Sequence, residues 1–66
     1  MKSKREKLND RLEYLIHYTF KTMEMLSTGQ IDADEAEKML AYVDAQHSEI
    51  EAELAVLELL ENVSLN

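Results

Sequence analysis

The first half of the chain carries an apolar or small residue at every third or fourth position. The series is Leu8, Leu12, Leu15, Thr19, Thr22 and Leu26. This spacing predicts an amphipathic helix, from about residue 4 to about residue 28, whose seam packs against one partner helix. Further apolar residues flank the seam, namely Ile16, Phe20 and Met23 on one side and Tyr14, Tyr18 and Met25 on the other. The apolar arc therefore spans about 240°, which is more than one partner helix covers.

A second amphipathic helix is predicted from about residue 33 to about residue 62. Its apolar stripe consists of Ala36, Met39, Leu40, Val43, His47, Ile50, Leu54 and Leu57. Carboxylates occupy the opposite side, as on an ordinary surface helix. Between Leu54 and Leu60 the sequence is apolar on nearly all sides, which predicts a further contact beyond the first helix.

Local signals place the ends of both helices. The Ser3 hydroxyl is expected to cap the first turn of the first helix, with Glu6 three residues on. Gly29 is the single glycine of the chain, and it suits the left-handed conformation that often closes a helix. Asp32 and Glu35 form the N-cap pair of the second helix. The short turn over residues 29–32 predicts an antiparallel αα-hairpin.

A single domain of this size buries little apolar surface, so its own core stabilises it only marginally. The chain has 66 residues and no cysteine, and such a domain usually depends on disulfides, a metal or oligomerisation. We therefore expect an all-α fold in which two hairpins over residues 1–66 form a homodimeric four-helix bundle. Higher oligomers and an obligate hetero-complex are the alternatives. The residues expected in the core or the dimer interface are Leu8, Leu12, Leu15, Ile16, Met23, Leu26, Met39, Val43, His47, Ile50, Leu54 and Leu57.

Charge is divided unevenly along the chain, whose formal net charge is −7. Basic residues cluster near the N-terminus, whereas the second helix is rich in carboxylates. An antiparallel hairpin would place the basic start of the first helix beside the acidic end of the second, in exposed pairs that contribute about 0–1 kcal/mol each. The residues expected to face each other are Lys4, Arg5, Lys7 and Arg11 on the first helix and Glu53, Glu58 and Glu61 on the second. The net acidity disfavours binding to RNA or other nucleic acids. No apolar run has the length of a signal peptide or a membrane span, so we expect a cytoplasmic protein without membrane contact.

Few residues of the sequence are candidates for catalysis or metal binding. His17 falls in a polar strip beside Glu13 and Lys21, and we interpret it as a solvated side chain. His47 lies in the apolar stripe with Glu51 one turn on, and is either a buried hydrogen-bonded histidine or part of a pH-sensitive interface. The Glu-x-x-His pairs of carboxylate-bridged metal sites are missing. We expect no enzymatic activity, no cofactor and no metal.

A tyrosine-containing flank of the first helix is the main candidate for partner binding. Tyr14, Tyr18 and Met25 lie on this flank, and tyrosine combines a large contact area with a polar tip that tolerates water. The alternative is that these side chains pack inside the dimer. Phe20, on the opposite flank, is a further candidate with the same alternative.

The segment Asp32-Ala33-Asp34-Glu35 and the overall architecture resemble the Rop family of plasmid-encoded helical hairpins. The resemblance covers most of the chain. It implies a hairpin that dimerises into a four-helix bundle and binds a pair of kissing RNA loops through its first helix. The aromatic position of that RNA-reading surface falls on Tyr14. Its lysine and amide positions fall on Ser3, Asp10, Tyr18 and Met25, so most groups that would grip phosphate are absent.

Three functional hypotheses follow from these features. The leading one is a protein-binding regulator or inhibitor that acts as a homodimer, of the kind that phages and other mobile elements encode. Its dimer would present either the tyrosine-containing flank or the acidic face of the second helix. The second is a Rop-like RNA-binding regulator that uses Tyr14 and the basic residues between Lys2 and Arg11. The third is an inhibitor whose acidic second helix imitates the phosphates of DNA.

Overall fold

The computed structural model describes residues 1–65. In these residues the regular secondary structure consists of α-helices, without a strand. Helix α1 spans Lys4–Ser27 and helix α2 spans Ala33–Leu65. The two helices pack against each other as an antiparallel pair, which confirms the predicted all-α hairpin. Helix α2 continues to Leu65, a little beyond the predicted end near residue 62, because the sequence holds no proline or glycine that would stop it.

Both helices begin at a side-chain cap. The Glu6 N–H donates to the Ser3 hydroxyl at 3.2 Å, and the Glu35 N–H donates to the Asp32 carboxylate at 2.8 Å. Each bond satisfies a backbone donor that has no partner within the helix. The two caps thus occupy the positions at which the sequence places them.

Helix α1 ends in a Schellman-type turn built around Gly29. The Gln30 N–H donates to the Met25 carbonyl at 2.9 Å, and the Gly29 N–H donates to the Leu26 carbonyl at 3.2 Å. Gly29 has φ +78°, a conformation that costs side-chain-bearing residues about 1–2 kcal/mol. The turn reverses the chain within five residues and directs α2 back along α1.

The core between the helices is small. Leu8, Leu15 and Ile50 form its centre, and Thr22 and Ala36 are also buried. Half-buried apolar side chains surround this centre, namely Leu12, Val43, Leu54 and Leu57. Other residues expected in the core or the dimer interface are exposed in the single hairpin, namely Ile16, Met23, Leu26 and His47.

The molecule is an elongated layer, one helix thick. Its extents are 54 × 22 × 13 Å and its radius of gyration is 15.7 Å, compared with about 11 Å for a compact domain of this length. The accessible surface is 5251 Å², compared with about 4,300 Å² for a compact monomer of this mass. A single hairpin therefore leaves more surface in water than its size requires.

Candidate functional site

One broad face of the hairpin contains an apolar groove. Its lining residues are Leu12, Leu15, Ile16, Thr19, Val43 and His47, and its volume is about 290 Å³. Along α1 these residues lie near the middle of the helix, so the groove is central on the long axis of the hairpin. We call this side of the molecule the groove face.

Exposed apolar side chains extend the groove face toward the turn. Ile16 and Met23 are rotated by about 100° and 80° from the buried Leu15 about the axis of α1, in the direction of the groove. Both are more than half exposed. Phe20 is rotated further in the same direction and is 65% exposed. The groove face is therefore apolar over several turns of α1.

The opposite broad face carries three tyrosines in a row. The ring centroids of Tyr14 and Tyr18 are 6.1 Å apart, and those of Tyr18 and Tyr42 are 5.5 Å apart. Both pairs are tilted, which is a favourable geometry for aromatic rings. Tyr14 is 59% exposed and Tyr42 is 46% exposed, whereas Tyr18 between them is half-buried. We call this side the tyrosine face.

The residues that were predicted to bind a partner lie on two different faces of the hairpin. Tyr14 and Tyr18 lie together on the tyrosine face, and the half-buried Met25 projects to the same side of α1. Phe20 projects toward the groove face instead. Tyr42 completes the tyrosine row but was not among the predicted residues, because it stands at the edge of the α2 stripe. Counting equal distances back and forward from the turn would have placed it opposite Tyr18.

Several basic residues near the N-terminus are engaged by acceptors of the same chain. Arg5 pairs with Glu61 at 2.8 Å. Arg11 donates to Gln46 at 2.9 Å and lies 3.6 Å from Glu53. These are contacts of the kind that an antiparallel hairpin was expected to form. They leave Arg5 and Arg11 less available to a phosphate than the sequence alone would indicate.

The other basic residues of this segment are Lys2, Lys4 and Lys7, of which Lys7 is exposed. Lys2 hydrogen-bonds to Asp10, and this bond raises the pKa of the Lys2 ammonium. Lys4 lines a shallow depression of about 230 Å³ together with Glu49, Glu53 and Val56. The depression is lined by both signs of charge, so it does not select an anionic ligand.

The two histidines lie on different helices and differ in their surroundings. His47 Nδ1 lies 3.6 Å from Glu51 Oε1, and both side chains are at least half exposed. His17 is exposed on the polar strip of α1. Within residues 1–65 no three His, Cys, Asp or Glu side chains are grouped for a metal ion.

Neither helix, over the residues described, is long and apolar enough to cross a membrane.

Comparisons with protein-family models, with curated proteins and with solved structures find no match to this chain.

Proposed function

We propose that this protein is a non-enzymatic regulator or inhibitor that acts through protein–protein interaction as a homodimer. In this proposal the groove faces of two copies pack together into a four-helix bundle. The tyrosine faces then lie on the two outer sides of the bundle and bind a partner protein. The observation that carries the proposal is the presence of exposed apolar side chains on both broad faces of one hairpin.

The groove face has the properties of a self-association surface. Ile16, Met23 and Phe20 are large, apolar and more than half exposed, and contiguous apolar patches of this kind mark interaction sites. A face of 54 by 22 Å is large enough for the roughly 800 Å² that each partner buries in a standard interface. Packing of two such faces would give each helix a second helical neighbour.

The tyrosine face has the properties of a recognition surface. Tyrosine is enriched among the residues that dominate binding energy, because it buries a large ring and keeps a hydrogen-bonding hydroxyl. The ring of Tyr18 contacts those of Tyr14 and Tyr42, and these contacts favour the arrangement of the three side chains in one row. Such ordering reduces the conformational entropy that is lost when a partner binds.

Sedimentation of wild type and of an Ile16→Glu variant tests self-association. Wild type is expected to sediment as a dimer at micromolar concentration. Ile16→Glu is expected to dissociate at least about 100-fold more readily, because an unpaired carboxylate would be buried in the interface. His17→Glu is the matched control, since it adds the same charge on the exposed polar strip. A stable wild-type monomer would contradict the proposal.

Affinity capture with the tyrosine face altered tests partner binding. A protein retained by wild type should be lost with the Tyr14→Ser/Tyr42→Ser variant and retained by His17→Glu.

Binding to RNA that weakens steeply with salt would instead favour the Rop-like alternative. Competition between this protein and DNA for a basic protein would favour imitation of DNA by the acidic α2. If the Tyr14→Ser/Tyr42→Ser variant still retains the partner protein, the tyrosine face does not bind it and its proposed role is wrong.

A further inference from the structure

The groove face is bordered by one row of residues on each helix. On α1 this row has Asn9, Ile16 and Met23 at intervals of seven residues. On α2 the equivalent row consists of carboxylates alone, also at intervals of seven. These are Glu37, Asp44, Glu51 and Glu58, and all four are exposed. Residues at intervals of seven lie on one side of a helix, and the contact between Glu51 and the groove residue His47 locates the acidic row beside the groove.

Two symmetric arrangements can bring a pair of groove faces together. If the twofold axis runs along the hairpin, both turns lie at the same end, and α2 of each copy packs on α1 of the other. If the axis runs across the hairpin, the turns lie at opposite ends, and α2 of one copy packs on α2 of the other. The two arrangements bury the same faces, so apolar contact alone does not distinguish them.

The acidic row distinguishes the two arrangements. Neighbouring helices in a bundle have axes about 8–10 Å apart, which is close to the screening length of about 8 Å at physiological salt. Contact of α2 with α2 would therefore align the carboxylates of Asp44 and Glu51 with the same acidic row of the second copy, and like charges at this distance repel. Contact of α2 with α1 would set the row against Asn9, Ile16 and Met23, which carry no charge.

We infer that the groove face binds a second copy of this chain with both turns at the same end of the bundle, so that each α2 packs on the α1 of the other copy. The inference rests on the homodimer proposed above and adds its orientation. The central position of the groove and the dimensions of the face support a second copy as the occupant. The different charge of the two border rows sets the orientation.

Spin labels at the turn test this orientation. The chain has no native cysteine, so Gln30→Cys provides a single labelling site. Gln30 is an exposed turn residue that bonds in the turn through its backbone N–H, which the substitution retains. The separation of the two labels in the dimer is measured by pulsed electron paramagnetic resonance. Turns at the same end predict a separation of about 20 Å, from neighbouring helices and label linkers. Turns at opposite ends predict a separation close to the 54 Å length of the hairpin.

A second label at mid-length is the control. Ser48 is exposed near the middle of α2, so Ser48→Cys should give similar separations in either arrangement and should report dimer formation alone. A short separation at Ser48 together with a long one at Gln30 would overturn the inferred orientation and leave the homodimer intact. A monomer, with no dipolar coupling at either site, would overturn both the homodimer and the inference.

Charge neutralisation gives an independent measurement. The Asp44→Asn/Glu51→Gln variant should change the dimer dissociation constant less than about threefold, because these carboxylates face uncharged residues of α1 in the inferred arrangement. A tenfold or greater strengthening of the dimer at low salt would indicate that the two acidic rows face each other, and would overturn the inference.

Discussion

Gly29 is the residue at which backbone conformation alone decides stability. Its φ is +78°, and a Cβ atom built there would meet no atom within 4 Å. Gly29→Ala should therefore lower the free energy of unfolding by about 1 kcal/mol through conformational strain, without steric conflict. Urea unfolding followed by circular dichroism measures the change. Gly29→Asn should lose less, because asparagine enters the left-handed region more readily. Equal stability of Gly29→Ala and wild type would show that the turn can close differently.

Asp32 contributes a single identifiable bond to the start of α2. Its carboxylate accepts the Glu35 N–H at 2.8 Å, and Asp32→Ala leaves that donor to water. We expect a loss of about 1 kcal/mol in the free energy of unfolding, measured in the same urea experiment. Asp32→Ser retains an acceptor and should recover most of the loss. If Asp32→Ser is as unstable as Asp32→Ala, the contribution of Asp32 does not come from capping.

At the scale of the two helices, packing depends on very few side chains. Ile50 is 0% exposed and lies at the centre of the core. Ile50→Val removes one methylene and should lower the free energy of unfolding by about 0.5–1.5 kcal/mol. Val63→Ala removes more atoms from a residue that is 71% exposed, and should cost less. A larger loss at Val63 than at Ile50 would mean that the packed centre of the protein lies elsewhere.

The elements were largely predictable from the sequence because their signals are local. The series from Leu8 to Leu26 defines α1, and Gly29 and Asp32 define the turn without reference to any distant residue. The row of three tyrosines was only partly predictable, since the contact of Tyr18 with Tyr42 depends on the register between the helices. Spacing within one helix carries no information on that register, and it does not show which broad face each apolar flank joins.

Across the whole molecule, stability and assembly are expected to be coupled. One hairpin buries few apolar side chains and exposes many, so much of the folding free energy would come from contacts between copies. For such a protein the midpoint of thermal unfolding rises with protein concentration by mass action, because dimer formation stabilises only the folded chain. The Ile16→Glu variant should have a lower midpoint that does not depend on concentration.

The measurement is circular dichroism at increasing temperature, at protein concentrations of about 2 and about 200 μM. His17→Glu should follow wild type in its dependence on concentration, since residue 17 lies outside both broad faces. A wild-type midpoint that stays constant over this range would mean that a single hairpin is stable alone. In that case the apolar groove face of residues such as Ile16 and Met23 would be open to a different protein, and self-association would play no part in folding.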